Sequence, residues 1–149
     1  ATITLGGREA QMIWVGEMNH SMDMSVITFP AERAMQVVDF ITFRRLPFRE
    51  MDFEEGLFEE WMSAISHWES LAENYDYISP GHGPVGDVQD VRDWRRYFEA
   101  LRDAVADGIA AGQSLEEMRA NITIEEYSDW EGYSWLNENV LGMYHFLTD

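Results

Sequence analysis

A histidine set between two glycines and two prolines constrains this sequence more than any other feature. The segment Tyr77–Val85 reads YISPGHGPV, so a short apolar strand leads directly to His82. The neighbouring glycines permit unusual backbone angles, and the prolines stiffen the loop at both ends. A rigid loop of this kind presents an imidazole in a fixed position, which suits a metal ligand. An ordinary solvent-exposed turn histidine fits the local sequence about equally well.

Two more candidate ligands precede His82. Asp39 ends an apolar strand, where its carboxylate is expected to be partly buried, and His20 lies in a polar loop. A buried carboxylate is costly unless it is paired, protonated or bound to metal. Pairing with Arg44 or Arg45, or accepting backbone hydrogen bonds, is the alternative for Asp39. All three candidates follow predicted strands, where an open α/β layer gathers ligands at one rim.

The order of the predicted elements indicates an α/β fold in which strands come first and long helices later. Five strands are expected, at Ile3–Leu5, Met12–Val15, Ser25–Phe29, Met35–Phe40 and Tyr75–Ser79. The predicted helices begin at Asp52 (capped with Glu55), at Asp87 (ended by Gly108 and Gly112), at Ser114 and at about Ser134. This order predicts a mixed sheet covered by helices on one face, with the other face bare.

The charge and the missing residue types exclude several classes of function. The formal charge is −18, from 28 acidic residues against 10 basic residues that are all arginine, so this acidic protein is expected to bind neither nucleic acid nor anionic membranes. The absence of lysine excludes Schiff-base chemistry, and the absence of cysteine excludes thiol nucleophiles, thiolate metal sites and disulfides. Any bound metal must therefore be held by nitrogen and oxygen.

The start of the sequence indicates neither a signal peptide nor a membrane span, because it has no basic segment and no long apolar run. The lack of an initiator methionine fits a processed or cut product, and methionine removal before alanine would look the same. A chain without cysteine suits the cytoplasm and the periplasm equally.

In their order and separations, His20, Asp39 and His82 resemble the later ligands of the metallo-β-lactamase superfamily. Three further segments resemble the strand turn, the next strand and the long helix of that fold: Thr4–Arg8, Met24–Pro30 and Val85–Gly112. The family's first signature, His-x-His-x-Asp-His, is absent from this sequence. The resemblance therefore implies the carboxy-terminal half of an αββα sandwich over residues 1–112, with an aromatic-rich helical extension packed on it over residues 113–149.

The resemblance implies a role for each candidate ligand. His20 would complete a three-histidine zinc site, Asp39 would bridge two metal ions and act in catalysis, and His82 would bind the second ion. Ser21 and Asp23 would form hydrogen bonds behind His20.

The residues around Asp39 add two expectations. Many relatives have glycine where this chain has Val38. The valine would tighten the strand end without abolishing metal ligation by Asp39. Arg44 and Arg45, with Arg49 close behind, are weak candidates for meeting an anionic substrate, and pairing with the surplus of acidic residues is their alternative role.

A complete member of the family would hold two zinc ions, or other divalent transition metals, and use a metal-bound hydroxide to cleave an ester, thioester, amide, phosphate or sulfate bond. Without the first signature, the isolated chain is predicted to bind zinc poorly and to be inactive. The implied partner is the amino-terminal half of the domain, or another chain that supplies it. Association into a homo-oligomer is left open.

A noncatalytic structural or interaction subunit built on the same half fold is the alternative function. Its support is a surplus of aromatic residues, which can mark partner surfaces. These residues are Trp61, Trp68, Trp94, Trp130, Trp135, Tyr127, Tyr133 and Tyr144. Carbohydrate binding through the tail aromatics is a third idea from composition alone. His67 and His145 lie on predicted helices and are interpreted as packing or surface residues.

Overall fold

The structure is a computed structural model that describes residues 1–15, 24–47 and 57–148, with side chains in the first helix from residue 62 onward. One sheet contains five strands in chain order, β1 (Thr2–Leu5), β2 (Arg8–Trp14), β3 (Ser25–Phe29), β4 (Ala34–Val38) and β5 (Tyr77–Pro80). Strands β1 to β4 pair antiparallel and β5 pairs parallel to β4. The predicted α/β class with a mixed sheet is therefore confirmed.

The described residues include four α-helices, α1 (Leu57–Ala72), α2 (Val88–Ala110), α3 (Leu115–Asn121) and α4 (Leu136–Thr148). The predicted start of α2 is confirmed, because Asp87 and Asp90 form a reciprocal capping box. Ser114 and Glu117 do the same for α3. The capping start predicted at Asp52 lies outside the described residues. None of the described helices combines the length and apolarity needed to cross a bilayer.

The expected end of α2 is wrong at one of its two glycines. Gly112 lies beyond the helix with φ +74, whereas Gly108 is buried inside it. A Cβ added at Gly108 would lie 2.4 Å from Met118 Sδ, so glycine here allows α3 to approach α2 closely. The close packing of α2 against α3 therefore explains the glycine at position 108.

The two faces of the sheet differ in burial. Alternate residues of β3, β4 and β5 share one core with the apolar sides of the helices: Val26, Thr28, Met35, Val37 and Ile78. The residues between them point to the opposite face, where Trp14 of β2 and Tyr77 of β5 are 60% and 61% exposed. The described helices therefore cover one face, and the other face exposes apolar side chains such as Trp14 and Tyr77.

The carboxy-terminal residues pack against α2. The Tyr97 hydroxyl of α2 donates a 2.7 Å hydrogen bond to Asn139 Oδ1 of α4, and both side chains are buried. Burial raises the pKa of Tyr97 well above its usual value. Trp130 stacks on Tyr97 and meets Tyr127 edge-on. A boundary at residue 112 stays a prediction, since these contacts join both sides of it in one core.

An ion-pair cluster joins α1 to α2. Glu69 accepts hydrogen bonds from Arg92 at 3.0 Å and from Arg95 at 2.8 Å, and Arg92 also binds Glu73 at 2.6 Å. Burial acts to raise the pKa of Glu69, but the bonds from Arg95 and Arg92 outweigh it and lower the pKa below its usual value.

We expect Glu69→Gln to lower the free energy of unfolding by about 1–2 kcal/mol near pH 7, because hydrogen bonds to a charged group are lost. A lowered carboxyl pKa contributes stability that is complete above the unfolded-state pKa and is lost as the pH falls through the folded-state pKa. The difference in the free energy of unfolding between Glu69→Gln and wild type, measured with urea, should therefore be smaller at about pH 3 than near pH 7. Glu73→Gln is the control, because Glu73 is more exposed and binds one arginine. An equal difference at both pH values would contradict this role.

Candidate metal site

The turn after β4 holds Asp39 in place. The Phe40 amide donates to the Val37 carbonyl at 3.2 Å, which closes a tight turn through Val38 and Asp39. Val38 has φ +50, in the left-handed region that β-branched residues rarely adopt. Such a conformation costs about 1–3 kcal/mol. Glycine would adopt this backbone without that cost, whereas Val38 adopts it under strain.

The loop after β5, residues 81–85, carries His82 and is called the His82 loop below. Ile78 and Gly86 exchange two backbone hydrogen bonds of 2.8 and 2.9 Å, which close the loop at its base. Gly83 has φ +103, and a Cβ there would lie 2.6 Å from the Phe43 carbonyl oxygen. Glycine is therefore required at position 83 both by its backbone angle and by space.

Asp39 and His82 meet because β4 and β5 are parallel neighbours whose carboxyl ends share one edge of the sheet. The Gly81 amide donates to the Val38 carbonyl at 2.6 Å. His82 Nε2 lies 3.5 Å from Asp39 Oδ1, with the side chains 53% and 23% exposed. The structure thus brings together two of the three predicted ligands, at a place open to solvent.

The separation of these donor atoms suits a shared metal ion. At 3.5 Å the nitrogen and oxygen are farther apart than in a normal hydrogen bond. Two donors on one tetrahedral zinc, each about 2.0–2.2 Å from the metal, lie roughly 3.3–3.6 Å from each other. Imidazole nitrogen and carboxylate oxygen are also ligands that zinc accepts. Asp39 and His82 therefore fit the metal that the resemblance implies.

The remaining ligands are not supplied by the described residues, among which no group of three or more His, Asp or Glu side chains is arranged to hold a metal. His20, Ser21 and Asp23 fall in residues 16–23, outside the described ranges, so their roles stay predictions. Two neighbouring donors are one fewer than the three protein ligands of a catalytic zinc site.

The arginines after Asp39 form ion pairs with the carboxy-terminal residues. Arg44 binds Asp129 at 3.1 Å, and Arg45 lies 3.6 Å from Glu131. The Arg45 guanidinium also lies 5.4 Å from the centre of the Trp135 ring, within cation–π range. Pairing with acidic residues is thus observed for both, and a role in binding substrate stays a prediction. Arg49 lies outside the described residues.

The described aromatic residues that form the predicted surplus, on α1, on α2 and in the tail, serve packing. Trp68, Trp94 and Tyr127 are buried in the core, and the other described members of the set are at least half-buried, namely Trp130, Tyr133, Trp135 and Tyr144. The side chain of Trp61 lies outside the description. The aromatic surplus therefore gives no support to a sugar-binding patch. His67 is exposed on α1 and His145 is half-buried on α4, each edge-on to a neighbouring aromatic ring.

Sequence reasoning missed the importance of Gly81 and Phe43. A Cβ added at Gly81 would lie 2.1 Å from Asp39 Oδ1 and 3.1 Å from the carbonyl carbon of Val38. Glycine next to a candidate ligand was visible in the sequence, but its contact with Asp39 depends on the pairing of β4 with β5. Phe43, whose carbonyl lies under Gly83, had no signal beyond its apolar character.

We expect Gly81→Ala to displace the Asp39 carboxylate and to lower the free energy of unfolding by about 1–3 kcal/mol, the usual range for overpacking. Chemical denaturation would measure the loss, and NMR would report the shift of the Asp39 and His82 signals. Gly112→Ala is the control, because a Cβ there meets nothing within 4 Å and only its positive φ is unfavourable. Unmoved Asp39 signals in Gly81→Ala would contradict the contact.

No family model matches the sequence, and no curated protein matches it significantly. Among solved structures, the stereoselective inverting sec-alkylsulfatase from Pseudomonas sp. is 15% identical with a TM-score of 0.64, and the match covers 97% of this chain and 25% of that one. A metallo-β-lactamase family protein from Thermus thermophilus is 12% identical with a TM-score of 0.61, and the match covers 99% of this chain and 46% of that one.

This chain therefore spans less than half the length of either protein. At such low identity the likeness establishes the fold alone, and it agrees with the mixed sheet. The chain folds like part of a metallo-β-lactamase family protein, as the sequence resemblance predicts.

Proposed function

We propose that this chain is part of a zinc-dependent metallo-hydrolase and contributes Asp39 and His82 to its metal site. The observation that carries the proposal is the 3.5 Å separation of His82 Nε2 and Asp39 Oδ1 at the carboxyl ends of two parallel strands. Zinc in such a site supplies a Lewis acid that polarises the bond to be cleaved and acidifies a bound water. The chain's own contribution is to hold two ligands on rigid turns.

The chemistry of the two ligands suits this role. Asp39 offers carboxylate oxygens that can bridge a pair of cations, and the turn around it is fixed by the Gly81–Val38 hydrogen bond. His82 offers a half-exposed imidazole on a loop closed by Ile78 and Gly86. Preorganised ligands lower the cost of assembling the site. The bonds it would cleave are those of an ester, thioester, amide, phosphate or sulfate.

A sec-alkyl sulfate ester is the first substrate to assay, because the Pseudomonas neighbour is a sec-alkylsulfatase. Esters and phosphate esters are the comparison substrates.

The other ligands would come from the amino-terminal half of the domain, in this protein or on another chain. Support comes from the face of the sheet that the described helices leave open, where Met12, Trp14 and Tyr77 are 38%, 60% and 61% exposed. Apolar side chains exposed on one face mark an interface, and a second sheet packed face to face would cover them. The same partner would thus complete both the core and the metal site.

We expect the complete domain to bind zinc, and His82→Ala or Asp39→Asn to weaken zinc binding by roughly tenfold or more because a ligand is removed. Competition with a chromophoric chelator would measure the affinity, and hydrolysis of the sulfate and phosphate esters should fall in parallel. His67→Ala is the matched control, since that histidine is exposed on α1. Wild-type zinc affinity in both ligand variants would refute the assignment.

We expect Trp14→Glu to weaken association with the amino-terminal half by roughly tenfold or more, because a charge would replace apolar area at the interface. Calorimetric titration of one half into the other would measure it. Ser63→Glu adds the same charge at an exposed position of α1 and should have no effect. Equal affinity of the Trp14→Glu variant and wild type would show that the partner does not cover this face.

A noncatalytic interaction subunit is the second candidate, favoured by the same bare apolar face. Elemental analysis separates the two, since a hydrolase domain completed by its amino-terminal half should purify with stoichiometric zinc. A scaffold should purify without it.

A further inference from the structure

The loop after β4, residues 39–47, begins with Asp39 and is called the Asp39 loop. It has no regular secondary structure, yet four of its apolar side chains are almost fully buried: Phe40, Ile41, Phe43 and Leu46. Phe40 meets Trp68 of α1 edge-on. An irregular segment with this burial needs partners for its backbone polar groups as well as for its side chains.

Residues 129–135, called the carboxy-terminal clamp, supply those partners. The Leu46 amide donates to the Glu131 carbonyl at 2.9 Å, and the Glu131 amide donates to the Arg44 carbonyl at 2.9 Å. These bonds form a parallel bridge between Arg45 and Glu131. The ion pairs of Arg44 and Arg45, and the stacking of Arg45 on Trp135, lie on the same two segments.

The clamp is itself held by α2 and by neighbouring residues of the extension. Trp130 packs on Tyr97 and Tyr127, and the Tyr133 hydroxyl accepts a 3.1 Å hydrogen bond from the Ile124 amide. Gly132 has φ +77, and a Cβ there would lie 2.6 Å from the Trp135 ring. The clamp is thus a fixed surface against which the Asp39 loop rests.

The Asp39 loop passes this restraint to the His82 loop through Phe43. The Phe43 carbonyl lies directly beneath Gly83. The Phe43 ring lies 3.1 Å from the position that a Cβ would take at Gly86. Both candidate ligands are therefore on segments that contact residues restrained by the clamp.

We propose that the carboxy-terminal clamp positions the Asp39 and His82 ligands, with Glu131 and Arg45 as positioning residues that never touch the metal. The proposal rests on the proposed function for its effect on zinc. Its structural part, that the clamp fixes the two loops, stands apart from zinc binding.

The test uses the full protein that carries this chain, with Glu131→Pro to delete the amide that donates to Arg44 and Arg45→Met to remove the guanidinium while keeping the alkyl stem. We expect amide hydrogen exchange in the Asp39 and His82 loops to rise by roughly tenfold in Glu131→Pro and less in Arg45→Met. Affinity for zinc alone should fall by roughly tenfold in Glu131→Pro, as when groups that orient ligands are lost.

Arg119→Met is the matched control, because it breaks the bond from Arg119 Nε to the Asn137 carbonyl inside the same extension. This variant should change neither amide hydrogen exchange in the two loops nor the affinity for zinc. Unchanged amide hydrogen exchange in the Asp39 and His82 loops of the clamp variants would overturn the proposal. Amide exchange that rises equally throughout α2 and α4 would also overturn it, because that result reports a general loss of stability. Should Glu131→Pro fail to fold, Arg45→Met decides by the same criteria. If the wild-type protein takes up no zinc, the proposed function fails while hydrogen exchange still decides the action of the clamp.

Discussion

The close approach of two turns at one edge of the sheet is the constraint on which the candidate site depends. The Gly81 amide reaches the Val38 carbonyl at 2.6 Å, and the Asp39 carboxylate fills the space that a side chain at position 81 would occupy. A parallel pair of strands brings both chain segments to this edge, and the left-handed backbone of Val38 turns Asp39 toward His82. The glycine, the strained valine and the two ligands therefore form one unit.

Around this unit the structure is arranged in successive supports. The Asp39 loop buries its apolar side chains in the core, the carboxy-terminal clamp binds its backbone, and the clamp rests on α2 through Trp130 and Tyr97. The opposite side of the sheet has no such support in the described residues and exposes apolar side chains. The described part of the chain thus combines a well-supported edge with a face that exposes apolar side chains.

Much of the secondary structure was predictable because local signals govern it. A short apolar stretch predicted β3, and the residues Asp87 and Ser114 predicted the starts of α2 and α3. Gly108 shows the limit of local reasoning, since glycine is a common helix stop but here makes room for Met118 of another helix. Likewise, the sequence left both roles of Arg44 and Arg45 open, and the ion pairs depend on residues more than 80 positions away.

By itself, the sequence determined the kinds of chemistry available and the residues that could perform it. A chain without cysteine or lysine leaves nitrogen and oxygen ligands, and histidine and aspartate after predicted strands were visible without a structure. Only the tertiary structure decided that His82 and Asp39 lie 3.5 Å apart. It also decided that the carboxy-terminal clamp, through Glu131, holds the Asp39 loop. The physical reason is that hydrophobic periodicity and helix caps act within a few residues. Strand pairing and close packing instead join Asp39 to His82, 43 positions apart, and Arg44 to Asp129, 85 positions apart, and no local pattern encodes those distances.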